Sequence, residues 1–324
     1  MAQREPAEWE VPLGLGEEDR QQLRRIIGAF PKLTFAAGYG SGVVPQADAT
    51  KLTKKPMKDF IFAVEDSRRW HEANIATNGG HYSGVAWLGS SVVARLQEDV
   101  GASIYYNTHV QLLDETIKYG VISSKHLISD LVNWDTLYVS GRMQKPGSDE
   151  IMSANQANLE SALSSALLLA PAQLPQRQLW ETIAGLSYTG DFRMQFGENP
   201  NKVKNIVTDK NAEAFRLMYR HSCDKLQHLL RLEDDTVVQD TSRAARQDLL
   251  LRLPARLKAN VERQTGQSLV DLSGAPVQTI ASAVASGIST LVKSSSRSQS
   301  LKAGLVKTIV YSANKIAKMR NATK

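Results

Sequence analysis

Apolar residues over the first half of the chain occur in short runs separated by polar turns, which is the pattern of alternating helices and strands. Asp66 precedes an amphipathic segment that starts at Ser67, and its residue type predicts a helix N-cap there. We predict a mixed α/β domain over residues 1–150. Its predicted elements are a helix at 17–28, strands at 33–37 and 59–65, and a strand pair within 103–123.

From residue 154 onward the pattern changes to helical spacing. The predicted elements are helices at 154–170, 176–185, 209–232 and 243–264, with an extended hairpin at 186–196. Two helices, a short hairpin and a further helix are compatible with a winged-helix-like domain, which we assign to residues 151–235. Residues 236–324 then form a C-terminal helical region. The predicted fold class is α+β.

The last fifty residues fall into three predicted pieces. Residues 272–292 carry no charge and are long enough to span a bilayer, but their many hydroxyl and amide side chains favour an amphipathic helix. Residues 294–300 are rich in serine and predict a flexible linker. Residues 301–319 have apolar positions over about half of the helix circumference, with lysines opposite, which favours a helix lying in a membrane interface. The alternative is a helix packed on the body of the protein.

Composition indicates a folded protein, because 42% of the residues are hydrophobic and 22% are charged. A single cysteine, Cys223, excludes an intrachain disulfide and a four-cysteine zinc site. Residues 1–19 are acidic and match neither a secretion signal nor an arginine-rich transit peptide. That pattern would fit either a bacterial protein or one whose targeting sequence has been removed.

Charge is distributed unevenly along the chain, whose net charge is +6. No acidic residue follows Asp271, and eight of the 39 basic residues lie in that tail, so 31 basic residues face 33 acidic ones in the rest. A basic tail indicates an anionic partner surface, either lipid or nucleic acid. Tyr311 is the only aromatic residue after Asp271, so the stacking platforms used to bind single-stranded nucleic acid are lacking there. We therefore predict a lipid surface and no nucleic acid.

A glycine-rich turn carries the strongest local chemical signal. The turn Tyr39-Gly40-Ser41-Gly42 follows the first predicted strand, and Asp59 opens the next one. Nucleotidyltransferases of the polymerase-beta type use this plan, in which glycine N–H groups and a hydroxyl approach the triphosphate. A carboxylate on the following strand holds Mg²⁺. We predict nucleotide contacts at residues 39–42 and a metal ligand at Asp59.

The expected second acid is missing from this plan. That superfamily usually places it two residues after the first, where this chain has Ile61. Glu65 shares the strand face but lies roughly 20 Å from Asp59 at about 3.3 Å per residue. Asp59 is therefore the only carboxylate that we predict as a metal ligand.

Three basic residues are candidates for phosphate contacts. Lys118 lies among apolar strand residues and needs an anionic partner or a route to water, so we place it with Asp59 in the catalytic group. Arg142 and Lys145 form a compact pair that would clamp a phosphate, or alternatively belong to a solvated loop. The histidines at positions 71, 81 and 109 lack the spacing of a zinc helix and are predicted to be structural.

Several segments occur together in one order: YGSGV, DFIFAVED, KYGVIS, LYVSGRMQKP and IAGLSYTGDFRM. Over residues 33–207 they resemble the mitochondrial translocator assembly and maintenance protein family, the mitochondrial-type phosphatidate cytidylyltransferases. The resemblance implies a nucleotidyltransferase domain, a winged-helix-like domain and a C-terminal membrane-binding segment. It also implies formation of CDP-diacylglycerol and pyrophosphate from CTP and phosphatidate, for cardiolipin and phosphatidylglycerol synthesis, with a divalent metal, for which we expect Mg²⁺.

Carried over to this sequence, the resemblance places Gly40 and Ser41 on the CTP phosphates and Asp59 on the metal. The assignments of Lys118, Arg142 and Lys145 depend on their own chemistry. A peripheral membrane position follows, on the matrix side of the mitochondrial inner membrane in a eukaryote or on the cytoplasmic face of the plasma membrane in a bacterium. No obligate protein partner is predicted.

Two other classes of function remain as alternatives. One is a nucleotidyltransferase that acts on RNA or protein, and the other is a non-catalytic factor for assembling membrane proteins. CTP binding that requires Mg²⁺ would argue against the second class.

Overall fold

A computed structural model describes residues 17–40, 42–43, 56–82, 84–144, 152–191 and 202–322. The chain is of mixed α and β type, as predicted. The limits of the three predicted domains remain predictions.

A four-stranded mixed sheet organises the first half of the molecule, in the order β1-β2-β4-β3. Strand β2 runs antiparallel to β1 and parallel to β4, and β3 runs antiparallel to β4. The elements are α1 (Glu17–Gly28), β1 (Phe35–Tyr39), β2 (Lys58–Val64), α2 (Ser67–Asn78), α3 (Ser90–Asp99), β3 (Ile104–Leu112), β4 (Glu115–Ser123), α4 (Ser124–Asn133) and α5 (Ser140–Met143).

Both faces of this sheet are covered, so its central strands are apolar on both sides. Phe60 and Phe62 of β2 point to a core shared with Trp70 of α2. Ile61 and Ala63, one residue out of phase, point to the opposite core with Leu127 of α4. Because side chains alternate along a strand, the position of each β2 residue decides which face it serves.

Helices form most of the second half, around a large core and a three-stranded sheet of order β5-β7-β6. Helix α6 contributes small and apolar side chains to that core, including Ala162, Leu163 and Ala166. The elements are α6 (Met152–Leu169), β5 (Gln173–Pro175), α7 (Gln176–Gly185), α8 (Lys202–Ile206), α9 (Asp209–Lys225), β6 (Leu230–Glu233), β7 (Thr236–Gln239), α10 (Arg243–Leu251), α11 (Ala255–Thr265), α12 (Leu269–Leu272) and α13 (Val277–Ala322).

Several predicted elements are confirmed, among them α1 and α7 with their predicted limits. Asp66 caps α2 as expected, because its Oδ1 accepts a hydrogen bond from the Arg69 amide at 2.9 Å. The predicted helix 243–264 is instead two helices, since Pro254 lacks the N–H that a helix interior needs.

The predicted hairpin at 186–196 is wrong in its described part. Leu186–Tyr188 is a turn of 3-10 helix, and residues 192–196 lie outside the described ranges. A hairpin does occur further along, between β6 and β7, where the predicted helix 209–232 has already ended at Lys225. Asp234 adopts a left-handed conformation (φ 46°) in the tight turn of this hairpin.

The predicted linker at 294–300 is also wrong, because α13 runs through it without a break. Its serines satisfy their hydroxyls on the helix itself, as in the bond from Ser295 Oγ to the Val292 carbonyl at 3.1 Å. Ser295 and Ser296 are buried, so their small side chains let the helix approach the body closely. Within the described ranges, none of the helices is both long and apolar enough to traverse a bilayer.

Helix α13 is attached to the four-stranded sheet through its polar side chains. Lys302 is buried, and its ammonium donates to the carbonyls of Gln97 and Ile104, each at 3.0 Å. Burial lowers the pKa of Lys302 to about 7. Gln299 accepts from the Ala102 amide at 3.2 Å. Lys302, one of the eight basic residues of the tail, is therefore not available to a membrane surface. Up to Lys302, α13 follows the alternative prediction of a helix packed on the body of the protein.

Candidate active site

The register of the sheet places two opposite charges side by side. Asp59 of β2 pairs with Tyr39 of β1 on one side and with Lys118 of β4 on the other. The Lys118 ammonium lies 3.1 Å from Asp59 Oδ1, and both side chains remain about a quarter exposed, at 24% and 22%. Sequence reasoning predicted both residues, and the structure brings them together.

The glycine-rich bend lies directly against Asp59. Gly40 has φ +75°, a conformation that strongly favours glycine, and a Cβ there would lie 3.3 Å from Asp59 Oδ2. A Cβ on Gly42 would lie 2.2 Å from the Met57 carbonyl, so only glycine lets the bend pass the start of β2. The Val43 amide closes the bend on the Gly40 carbonyl at 3.1 Å. Ser41, the predicted hydroxyl donor, lies outside the described residues.

Two tyrosines form an aromatic wall beside the charged pair. The Lys118 ammonium lies 4.9 Å from the ring centroid of Tyr106 and 5.7 Å from that of Tyr39. Tyr106 has room for its ring because it faces Gly120, where a Cβ would lie 2.5 Å from the ring. Burial raises the pKa of Tyr39 to about 12 and that of Tyr106 well above its ordinary value. Both phenols therefore stay neutral and can donate hydrogen bonds.

Arg142 adds a second cation on the same side of the sheet. Its guanidinium stacks on Tyr138 at 3.8 Å, donates to the Tyr138 carbonyl and lies 5.7 Å from the ring of Tyr39. Since an arginine keeps its charge in proteins, the site holds two cations against the carboxylate of Asp59. Lys145, the predicted partner of Arg142, lies outside the described residues.

A buried carboxylate positions the segment that carries Arg142. Asp130 Oδ1 accepts from the amides of Thr136 and Leu137, at 2.7 and 3.1 Å. Its Oδ2 accepts from the amides of Val139 and Ser140, at 3.1 and 2.9 Å. Sequence reasoning missed this acid, since a carboxylate at a helix position carries no local sign that it will cap a turn several residues later.

The cation and aromatic surface continues onto the turn that contains Tyr188. This turn packs against α5 at Gly141, where a Cβ would lie 2.4 Å from Ser187 Cβ. The Lys202 ammonium lies 5.2 Å from the centroid of Tyr188. Neither Tyr188 nor Lys202 was predicted as a site residue, and no spacing in the sequence connects them with Asp59.

The residues present fit a Mg²⁺ ion that is shared with a phosphate ligand. Asp59 Oδ1 is buried and makes no hydrogen bond, because Lys118 approaches it outside hydrogen-bond geometry. Ile61, at the position of the absent second acid, is fully buried in the core, and Glu65 is exposed at the far end of β2. The described residues contain no group of three or more metal-ligating side chains. A single protein carboxylate is nevertheless enough where phosphates and water complete the coordination, as Mg²⁺ commonly requires.

The histidines lie away from this site. His71 is buried on the other face of the sheet, between Tyr82 at 2.7 Å and Gln97 at 2.8 Å, and His81 contacts the Tyr119 hydroxyl at 3.2 Å. His109 is exposed at a bulge in β3. His71 and His81 are therefore hydrogen-bonded within the fold, as predicted, and a structural role of His109 stays a prediction.

Comparisons with known proteins give one consistent answer. Residues 23–318 match the sequence profile of the family described as phosphatidate cytidylyltransferase, mitochondrial. The chain is 40% identical over 322 residues to the zebrafish (Danio rerio) protein of that name, covering 91% of this chain and 94% of the relative. The proteins of that name from Xenopus laevis and mouse are each 36% identical, and each comparison covers 92% of this chain and 94% of the relative.

Proposed function

This chain belongs to the family of mitochondrial phosphatidate cytidylyltransferases, and we propose that it converts CTP and phosphatidate into CDP-diacylglycerol and pyrophosphate. An oxygen of the phosphatidate phosphate attacks the α-phosphorus of CTP, and the bond from that phosphorus to the oxygen bridging to the β-phosphate breaks. The observation that carries this proposal is the pairing of Asp59 with Lys118 directly beside the Gly40 bend.

The bend and the two cations serve as the triphosphate cradle in this proposal. Backbone N–H groups of Gly40, Ser41 and Gly42 donate to phosphate oxygens, which glycine permits because no side chain keeps the ligand away. Lys118 and Arg142 offset the negative charge that accumulates on the leaving pyrophosphate. Lys145 is the proposed further phosphate contact, and the neutral hydroxyl of Tyr39 donates a hydrogen bond to the same phosphates.

Asp59 is the proposed Mg²⁺ ligand. The ion would polarise the phosphate oxygens and offset the charge on the leaving group. While Asp59 is paired with Lys118, the carboxylate is neutralised by the ammonium. We propose that Lys118 turns from Asp59 to the phosphates when the nucleotide binds, so that the same two residues serve both states.

One carboxylate is enough for this chemistry. A polymerase must help to deprotonate a sugar hydroxyl, whereas a phosphate monoester has a second pKa of about 6 and is mostly dianionic at neutral pH. The nucleophile needs little help from a base, and fewer acids around it mean less repulsion. Ile61 therefore costs the reaction little while it completes the core beneath Asp59.

The proposal includes the architecture and the location. We assign the four-stranded sheet to a polymerase-beta-type nucleotidyltransferase domain, and the helices with the β6–β7 hairpin to a winged-helix-like domain. Because phosphatidate resides in a bilayer, we place the enzyme at a membrane surface through its basic C-terminal residues. In a eukaryote this surface is the matrix side of the mitochondrial inner membrane, where the product supplies cardiolipin and phosphatidylglycerol synthesis.

One assay tests the reaction. CTP labelled at its α-phosphate is incubated with phosphatidate vesicles and Mg²⁺, and the lipids are then extracted. We expect the label in the lipid fraction, with pyrophosphate released in equal amount. Label in added RNA or in protein would instead support the alternative nucleotidyltransferase. CTP bound without any transfer would support the assembly factor.

A further inference from the structure

Two large apolar side chains are exposed next to one another on a short helix between α2 and α3. Trp87 is 80% exposed and Leu88 is 49% exposed, at the end of the 3-10 helix Gly84–Leu88. The 3-10 helix is anchored to the protein by Val85, which is fully buried in a cluster with Tyr82. The exposure of Trp87 is therefore a property of a packed element.

This element lies against the C-terminal helix. Ala86 and Val306 both pack on the small core that contains Val85, so the 3-10 helix and α13 share an apolar contact. Lys302 and Gln299 fix the preceding turn of α13 to the body through buried hydrogen bonds. Leu301, on the same stretch of α13, is 68% exposed.

Charge on the adjoining residues indicates what covers this apolar surface. From Lys307 to Lys324 the chain has five basic residues and no acidic one, and α13 continues as a helix to Ala322. An apolar patch beside a cationic helix complements a bilayer interface, which offers anionic headgroups above an apolar layer. Tryptophan in particular prefers the headgroup level of a membrane.

We propose that Trp87 and Leu88 form a second membrane-docking point, which inserts into an anionic bilayer beside the basic end of α13. One helical anchor alone would leave the enzyme free to rotate about that helix, whereas two points off one line define its orientation. The inference rests on the proposed function only in that phosphatidate is a bilayer lipid. Its consequence is that the active site meets the membrane at a defined angle.

Fluorescence of the intact protein tests insertion directly. The tryptophans at positions 70, 134 and 180 are at most 5% exposed, so Trp87 is the solvent-accessible one among the described residues. In a Trp9→Phe background, vesicles of phosphatidylcholine with phosphatidylglycerol should shift the emission to the blue, and brominated lipids should quench it. Trp87→Phe should abolish both responses. Emission that vesicles and brominated lipids leave unchanged would overturn the proposal.

A double variant tests the contribution to binding. Trp87→Ser combined with Leu88→Ser should weaken vesicle sedimentation about tenfold, equivalent to about 1.4 kcal/mol. Leu251→Ser is the matched control, since Leu251 is 47% exposed on α10, and it should leave sedimentation unchanged. The docking point would be refuted if the double variant bound vesicles as well as the parent protein. It would also be refuted if the substitutions weakened only self-association or binding to another protein.

The same variant separates this inference from the proposed function. With phosphatidate dispersed in detergent, the double variant should make CDP-diacylglycerol at the rate of the parent protein. With phosphatidate vesicles it should be slower by about the loss in sedimentation. If the parent protein makes no cytidylylated lipid in either form, the proposed function fails, while the fluorescence result still decides on docking.

Discussion

Lys118 and Tyr119 lie on opposite faces of the four-stranded sheet, and their polar groups have different environments. Lys118 and Tyr119 are neighbours in β4, but they point to opposite sides. Lys118 meets Asp59 on a face where charge is concentrated and partly exposed. The Tyr119 hydroxyl, on the other face, accepts from Asn74 at 3.0 Å within a buried hydrogen-bond network that also contains Tyr82 and His71. Adjacent residues therefore belong to two different kinds of environment.

Both ring nitrogens of His71 are hydrogen-bonded within the buried network, whereas the charged face keeps a carboxylate oxygen without a hydrogen bond. Tyr82 and Gln97 hold the two ring nitrogens of His71, and Gln97 in turn donates to Ser67 at 2.7 Å. Burial lowers the pKa of His71 to about 4, so the ring is neutral at physiological pH. Asp59 Oδ1, in contrast, has no hydrogen bond. The hydrogen bonds of His71 indicate a structural role, whereas Asp59 Oδ1 has only an ionic contact with Lys118 and can still accept a ligand.

The largest expected effect tests the charged face. Asp59→Asn should lower cytidylyl transfer by about a thousandfold, because it removes the proposed metal ligand while keeping the shape of the side chain. The measurement is lipid labelling from CTP over a range of Mg²⁺ concentrations. Asp66→Asn is the control, since asparagine also caps helices well, and it should retain activity. Near-normal turnover of Asp59→Asn at saturating Mg²⁺ would show that Asp59 is not the ligand.

A substitution on the buried face should lower the stability of the protein without changing its catalytic activity. His71→Leu leaves the Tyr82 hydroxyl and the Gln97 amide short of a partner, so the free energy of unfolding should fall by about 3 kcal/mol. Turnover per folded molecule should stay unchanged. Denaturant melts measure the first quantity, with the exposed His221→Leu as the control. A variant that is fully stable but inactive would reverse the roles of the two faces.

The pH dependence of stability sharpens the same contrast. The pKa of His71 lies near 4 in the folded protein, below its ordinary value of 6.5, so the unfolded chain binds the proton more readily. Its contribution to stability is complete above about pH 6.5 and declines as the pH falls towards about 4. Denaturant melts across this window should show the decline in the parent protein, and His71→Leu should reduce the slope. Equal slopes would mean that His71 is protonated in the folded state.

Lys118→Met should raise the KM for CTP about tenfold, which corresponds to about 1.4 kcal/mol. The change removes a proposed phosphate contact and also leaves Asp59 without its ionic partner. Lys125→Met, at an exposed position on α4, is the matched control. A KM that does not change, together with a lower kcat, would assign Lys118 to the transition state alone.

The smallest expected effect concerns Tyr39→Phe. Its hydroxyl donates to that of Tyr106 over 3.4 Å, a long hydrogen bond. Losing it should cost about 0.5 kcal/mol, or roughly a twofold change in kcat/KM. Steady-state kinetics with CTP measure this change, and an unchanged kcat/KM would show that the Tyr39 hydroxyl contributes nothing to the triphosphate cradle.

Local signals in the sequence were enough for part of the fold and of the site. Local patterns found the acidic start of α1, the Asp66 cap and the Gly40 bend, because each of these signals extends over only a few residues. The linker predicted at residues 294–300, which is helical in the structure, shows the limit of this reasoning. Serines in an isolated peptide favour a coil, but packing against the body buries Ser295 and Ser296 and stabilises the helix there.

Long-range contacts account for what the sequence could not disclose. The surroundings of the site include Asp130, Tyr188 and Lys202, whose contacts depend on the tertiary fold and not on local spacing. Lys302 is buried because the segments that carry Gln97 and Ile104 pack against α13. The residue types alone determined which chemistry is possible: one carboxylate, a glycine bend and scattered cations. The tertiary structure decided which of these residues meet, because distance and solvation depend on segments far apart in the chain.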